Sequence, residues 1–188
     1  MKPIILILIL ASSAFALEEQ EILDLSKKED SRNGISEAMK LFPNVANFEV
    51  SYTIHTPKGF PKNNKGPIAK DKFVEDKYLI SEVTIGDEEH KFDLINVTYY
   101  VEEELCYYRW VLNKQLKTVY EYRGVRAGES NIVGWTMINP KKHGYDTSLF
   151  IEEYNKHKVT WTQRDYRDGK LTFSMTGTAT QPKENKAE

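Results

Sequence analysis

The sequence predicts a mainly β protein, built as a single antiparallel β-barrel with a short N-terminal helical segment. Residues 47–56, NFEVSYTIHT, alternate apolar and polar side chains, as a half-buried strand does. Further runs rich in β-branched and aromatic residues follow, which strands favour. Turn residues, not helices, separate them. Strand following strand in this way indicates an antiparallel sheet closed into a barrel or folded into a sandwich, and we expect the barrel. The further runs are 72–85, 91–101, 105–114, 117–123, 131–139, 148–154, 157–166 and 170–179.

Residues 1–16 have the layout of a secretory signal peptide. Lys2 precedes the apolar run 4–11, and Ala14-Phe15-Ala16 is a small-x-small cleavage signal. The run is shorter than the roughly 20 residues that a membrane-spanning helix needs. We therefore expect a secreted, extracellular protein without a transmembrane segment.

Residues 17–46 are predicted to form a helical lead-in to the barrel. The segment LEEQEILDLSKK places Ile22, Leu23 and Leu25 on one side. Asn33-Gly34 interrupts the pattern, and ISEAMKLF predicts a second short helix. The barrel domain then spans residues 47–179, and the polar tail 180–188 is expected to be disordered.

The composition limits the kinds of partner. Basic and acidic residues are nearly balanced at 26 and 28, which argues against a nucleic-acid partner. A single cysteine rules out an internal disulfide framework, so the core alone must hold the fold. We expect a monomer.

The sequence contains no established catalytic motif. G-x-S-x-G, H-E-x-x-H, the P-loop and the dinucleotide-binding glycine pattern are all absent. We expect a binding protein and not an enzyme, with no cofactor and no metal. Paired catalytic carboxylates remain an alternative, because their spacing is set in space and not in sequence.

The only cysteine lies in an aromatic strand, ELCYYRWVLN (104–113). Cys106, Tyr108 and Trp110 share one uncharged face, whereas Arg109 lies on the other. We predict that the uncharged face points into the barrel, so that the thiol is buried and reduced. An intermolecular disulfide is the second interpretation and catalysis the third.

Asn96-Val97-Thr98 is an N-glycosylation sequon. A glycan on Asn96 must lie in solvent. We therefore predict that Asn96 faces outward from the barrel and that the row 95, 97, 99 and 101 faces its interior. The sequon lies within a predicted strand, so occlusion of Asn96 is the other open interpretation.

The predicted inward rows are unusually rich in tyrosine. Each buried hydroxyl needs a partner, which favours a cavity for a small apolar or amphipathic ligand over a filled core. Tyrosines at the barrel ends, with their hydroxyls in water, are the other open interpretation. The predicted ligand-binding residues are Tyr52, Tyr99, Tyr108, Trp110, Tyr122 and Trp135.

Residues 56–72 are predicted to form a long exposed loop, because they combine prolines, glycines and several lysines. This loop supports an alternative function, a secreted module that binds proteins or glycans through its loops and holds no internal ligand.

The order of elements resembles that of the lipocalin-like, or calycin, β-barrels. A short helical lead-in, a strand near Phe48, a long loop and an antiparallel meander extend over residues 42–179. The early Gly-x-Trp of that family is replaced by Asn47-Phe48-Glu49. The resemblance implies a cup that holds one small hydrophobic ligand, with the first loop as a lid.

Overall fold

The computed structural model of the chain describes residues 17–30, 36–43, 46–57, 62–75, 77–86 and 91–182, with only the backbone described for 62–67. The predicted signal peptide, the tip of the first loop and most of the C-terminal tail lie outside the described residues.

In the part of the chain that the structure describes, ten antiparallel strands form one closed barrel, which confirms the predicted fold class. Each strand pairs with its neighbours in sequence, and the first strand also pairs with the last to close the sheet. The strands are β1 (Asn47–His55), β2 (Lys62–Val74), β3 (Tyr78–Gly86), β4 (Lys91–Val101), β5 (Cys106–Asn113), β6 (Thr118–Arg126), β7 (Ile132–Met137), β8 (Thr147–Asn155), β9 (Lys158–Arg167) and β10 (Lys170–Thr180).

Tight hairpins follow from the turn residues. Asp168 and Gly169 both have positive φ, 49° and 67°, and Arg167 pairs directly with Lys170. Asp-Gly suits such a two-residue turn, because both central positions require the left-handed conformation. The turn expected between the runs 157–166 and 170–179 is thereby confirmed.

The predicted loop over residues 56–72 is wrong from residue 62 onward, where β2 begins. The strand pairs with β1 and β3 through backbone hydrogen bonds, which do not depend on the identity of the side chains. Its register with β1 shifts between Glu49 and Ser51, opposite residues 66–67. A bulge of this kind accommodates a proline, which cannot donate a hydrogen bond to the sheet. Loop composition therefore did not exclude a strand.

The predicted N-terminal helix is present as α1 (Glu19–Lys27), and it packs on the outside of the barrel. Its first turn is closed by reciprocal hydrogen bonds between Glu18 and Glu21. Ile22 and Leu25 are its buried residues. They pack against the outer faces of neighbouring strands, in a group that we call the outer cluster. Its strand residues are Val74, Ile80, Ile95, Val97, Cys106, Tyr108, Trp110 and Leu112.

The 3-10 helix Glu37–Leu41 closes the end of the barrel at which β1 begins. The hydroxyl of Tyr107 donates to the carbonyl of Ala38 at 2.9 Å. Phe42 follows the helix and is nearly fully buried, with edge-on contacts to Tyr107 and Tyr154. We call this the capped end. None of the helices in the described part of the chain is long and apolar enough to cross a membrane.

Cys106 is buried as predicted, but in the outer cluster and not in the barrel interior. Burial raises the pKa of its thiol, which lowers the fraction of reactive thiolate. We expect slow labelling by a thiol reagent in the native protein and fast labelling in urea.

The outer location of Cys106 can be tested through α1. Ile22→Asp should detach the helix and speed native labelling, because Ile22 belongs to the same cluster. Gln20→Asp, on the exposed side of the helix, is the matched control and should leave the rate unchanged. Equal rates in the two variants would place the thiol away from the helix.

Candidate ligand-binding site

The barrel encloses a cavity of about 450 Å³, lined by side chains from all ten strands. The lining is mainly apolar and aromatic, with a small number of polar side chains. Volume and composition both lie in the range of small-molecule sites. Phe42 and Pro43 line the cavity from the capped end.

The inward faces of β1, β6 and β7 agree with the prediction. Tyr122 and Trp135 line the cavity. Tyr52 lies on the buried face of β1 with Phe48 and Val50, which are lining residues, but is not itself one of them. Three of the six predicted ligand-binding residues are thus brought to the interior.

The inward faces of β4 and β5 were predicted wrongly. Tyr99, Tyr108 and Trp110 belong to the outer cluster or pack against it, outside the cavity. The rings of Tyr99 and Trp110 stack there at 4.9 Å. The physical reason is α1, which buries the uncharged face from outside, so that the face bearing Arg109 turns inward.

Asn96 also has the opposite orientation to the predicted one. It lines the cavity, and its neighbours Ile95 and Val97 lie in the outer cluster. A glycan needs solvent, so an inward Asn96 does not support glycosylation of the folded barrel.

Arg109 is the centre of a buried polar network that sequence reasoning missed. Its Nη1 donates to Oε1 of Glu152 at 2.9 Å, and its Nη2 lies 2.8 Å from Oε2. This two-point pairing neutralises the guanidinium. Nε donates to Thr98 at 3.0 Å, and Nη2 donates to the hydroxyl of Tyr154 at 3.0 Å.

Aromatic groups complete this network. The indole N–H of Trp135 donates to Glu152 at 2.8 Å, and the hydroxyl of Tyr154 donates to the same carboxylate. The guanidinium lies over the Trp135 ring, 4.1 Å from its centroid. A lone arginine in an otherwise aromatic strand was the available signal, but its acidic partner could not be identified from sequence.

A second polar group surrounds Asp165 at the opposite end of the barrel. Ser148 donates to Oδ1 of Asp165 at 2.6 Å, and Gln163 donates to both carboxylate oxygens at 3.2 Å. Asp165 is only 4% exposed and lines the cavity. Burial raises the pKa of its carboxyl, which the hydrogen bonds partly oppose.

The two inward tryptophans lie against glycines of the next strand. Trp135 pairs directly with Gly124, and Trp161 pairs with Gly177. A Cβ on either glycine would lie within 2.5 Å of the facing indole ring. The glycines thus provide the room in which the rings lie against the barrel wall. The buried indole N–H of Trp161 has no hydrogen-bond partner among the described residues.

These features define a closed ten-stranded β-barrel with an aromatic cavity, which contains the Arg109–Glu152 ion pair and the buried carboxylate of Asp165. Within the described ranges, no group of three histidine, cysteine or acidic side chains is placed to hold a metal ion. Comparisons of the chain with models of known families, with curated proteins and with solved structures found no match.

Proposed function

We propose that the chain is a secreted, lipocalin-like binding protein that holds one small hydrophobic or amphipathic molecule inside its barrel. The observation that carries the proposal is the cavity of about 450 Å³ with its apolar and aromatic lining. A ligand in such a space gains free energy by removing apolar surface from water. Secretion is proposed from the signal-peptide pattern of residues 1–16.

The acid at the centre of the cavity's polar network is already engaged by its neighbours. The buried acid Glu152 is occupied by Arg109, Trp135 and Tyr154. We therefore propose binding and not turnover, with the polar groups orienting the ligand.

Binding can be tested with a neutral, apolar fluorescent dye. We expect one dye per chain, with a change in tryptophan emission because Trp135 and Trp161 line the cavity. Affinity should change little between low and high salt, because apolar contact is not screened by ions.

A pair of matched variants identifies the cavity as the site. Val83→Trp should abolish dye binding, because Val83 lines the cavity. Val125→Trp should retain it, because Val125 is exposed and lies outside the cavity. Absence of saturable binding in the wild type, or equal binding by both variants, would contradict the proposal. No dye uptake, together with a protein or glycan partner whose affinity falls as salt rises, would favour the loop-based interaction module.

A further inference from the structure

The cavity carries a buried carboxylate that has no cationic partner within the described part of the chain. Asp165 is nearly fully buried, and its hydrogen-bond donors, Ser148 and Gln163, are neutral. No ion pair involves it among the residues that the structure describes. An ionised carboxylate in such a place is costly unless a positive charge accompanies it.

The Arg109–Glu152 ion pair in the cavity cannot supply a positive charge to Asp165. Arg109 is already held by both oxygens of Glu152. The pair lies toward the capped end, close to Tyr154 and the C-terminal part of β8. Asp165 lies near the other end of the barrel, opposite Ser148 at the start of β8.

Tyrosines surround the same end of the cavity. Tyr120, Tyr122 and Tyr145 all line it. Burial is the main cause of the raised pKa of each hydroxyl, and the negative charge of Asp165 adds to it. The hydroxyl of Tyr122 lies 3.5 Å from Oγ of Ser148, which itself donates to Asp165, so this phenol is close to the carboxylate. Aromatic faces attract a cation through their quadrupole, as the carboxylate does through its charge.

We propose that Asp165 binds the protonated amine of an amphipathic ligand, whose apolar body fills the cavity beside the tyrosines. This inference rests on the proposed function and specifies its ligand class. An ammonium group supplies the missing positive charge and up to three hydrogen-bond donors. Among the described residues, Oδ2 of Asp165 accepts only the 3.2 Å hydrogen bond from Gln163, so this oxygen can accept a further donor.

The same geometry disfavours a carboxylate ligand. A fatty acid would bring a second negative charge toward Asp165, and the one arginine known to line the cavity is already paired with Glu152. A neutral alcohol could donate one hydrogen bond to Asp165 but would leave its charge uncompensated.

The test compares three molecules that share one apolar body, by calorimetry on the full chain. They are 2-(1-naphthyl)ethylamine, 2-(1-naphthyl)ethanol and 1-naphthylacetate. We expect the amine to bind roughly tenfold more tightly than the alcohol, the gain of a charge-assisted hydrogen bond, and the carboxylate to bind most weakly.

Two variants assign the preference to Asp165. Asp165→Asn keeps the shape and should remove the advantage of the amine over the alcohol. Glu153→Gln, on the exposed side of β8, is the control and should preserve the advantage. Far-ultraviolet circular dichroism verifies that each variant is folded.

The outcomes separate this inference from the proposed function. If the alcohol binds and the amine is no tighter in the wild type, the amine inference fails and the carrier function stands. If the amine keeps its advantage in Asp165→Asn, the assignment to Asp165 is wrong. If none of the three binds, both proposals fail.

Discussion

Glu152→Gln is expected to lower the free energy of unfolding by about 3–5 kcal/mol, the effect of removing one partner from a buried ion pair. The guanidinium of Arg109 would keep its burial but lose the charge that neutralises it. Two further donors, from Trp135 and Tyr154, would lose an ionised acceptor. Urea denaturation monitored by tryptophan fluorescence measures the change.

The control for this experiment is Glu153→Gln, which neutralises the adjacent, exposed acid and should change stability little. A double variant separates charge from packing. Arg109→Met with Glu152→Leu removes both charges and should recover much of the loss, because neither charge is then left unpaired. A loss equal to that of the exposed control would show that Arg109 is compensated in another way.

The overall architecture was predictable because it depends on strand periodicity and turns. Alternation in β1 fixes Phe48, Val50 and Tyr52 on one buried face, as the structure has them. Asp168-Gly169 specifies its hairpin through the left-handed conformation that both residues accept. Such signals act over a few residues, so they can be read without knowing the fold.

The choice of inward face in β4 and β5 was not predictable from those strands alone. Both faces are rich in apolar residues, because one lines the cavity and the other is covered by α1. The uncharged row holding Cys106 and Trp110 was the better core candidate by composition, and it is indeed buried, although outside the barrel. Only the packing of a distant helix decides between the two faces.

The polar groups of the site were missed for a related reason. Arg109 and Glu152 are 43 positions apart, and they meet because both side chains project into the interior from strands that only β6 and β7 separate. Asp165 and Ser148 are opposite residues of one strand pair, so the strand register, once known, places them together. The local sequence pattern of a strand does not show which side chains from other strands it meets inside a closed barrel.

Gly177→Ala is the second prediction with a large expected effect, a loss of about 1–3 kcal/mol of stability from overpacking. The new Cβ would lie 2.2 Å from Cζ2 of Trp161 and 2.5 Å from Cε2. Either the indole must swing toward the cavity or the two strands must separate. Alanine in an extended strand would otherwise be neutral or slightly stabilising relative to glycine.

Gly134→Ala is the matched control, because it lies in a strand and its Cβ would meet no atom within 4 Å. It should leave the free energy of unfolding unchanged or slightly higher. The contact itself is tested in a Trp161→Leu background, where Gly177→Ala should cost much less, since the facing ring is gone. An equal cost in both backgrounds would mean that the strain arises from the backbone. A ring displaced into the cavity would also weaken binding of the neutral dye, which links this packing contact to the space available for a ligand.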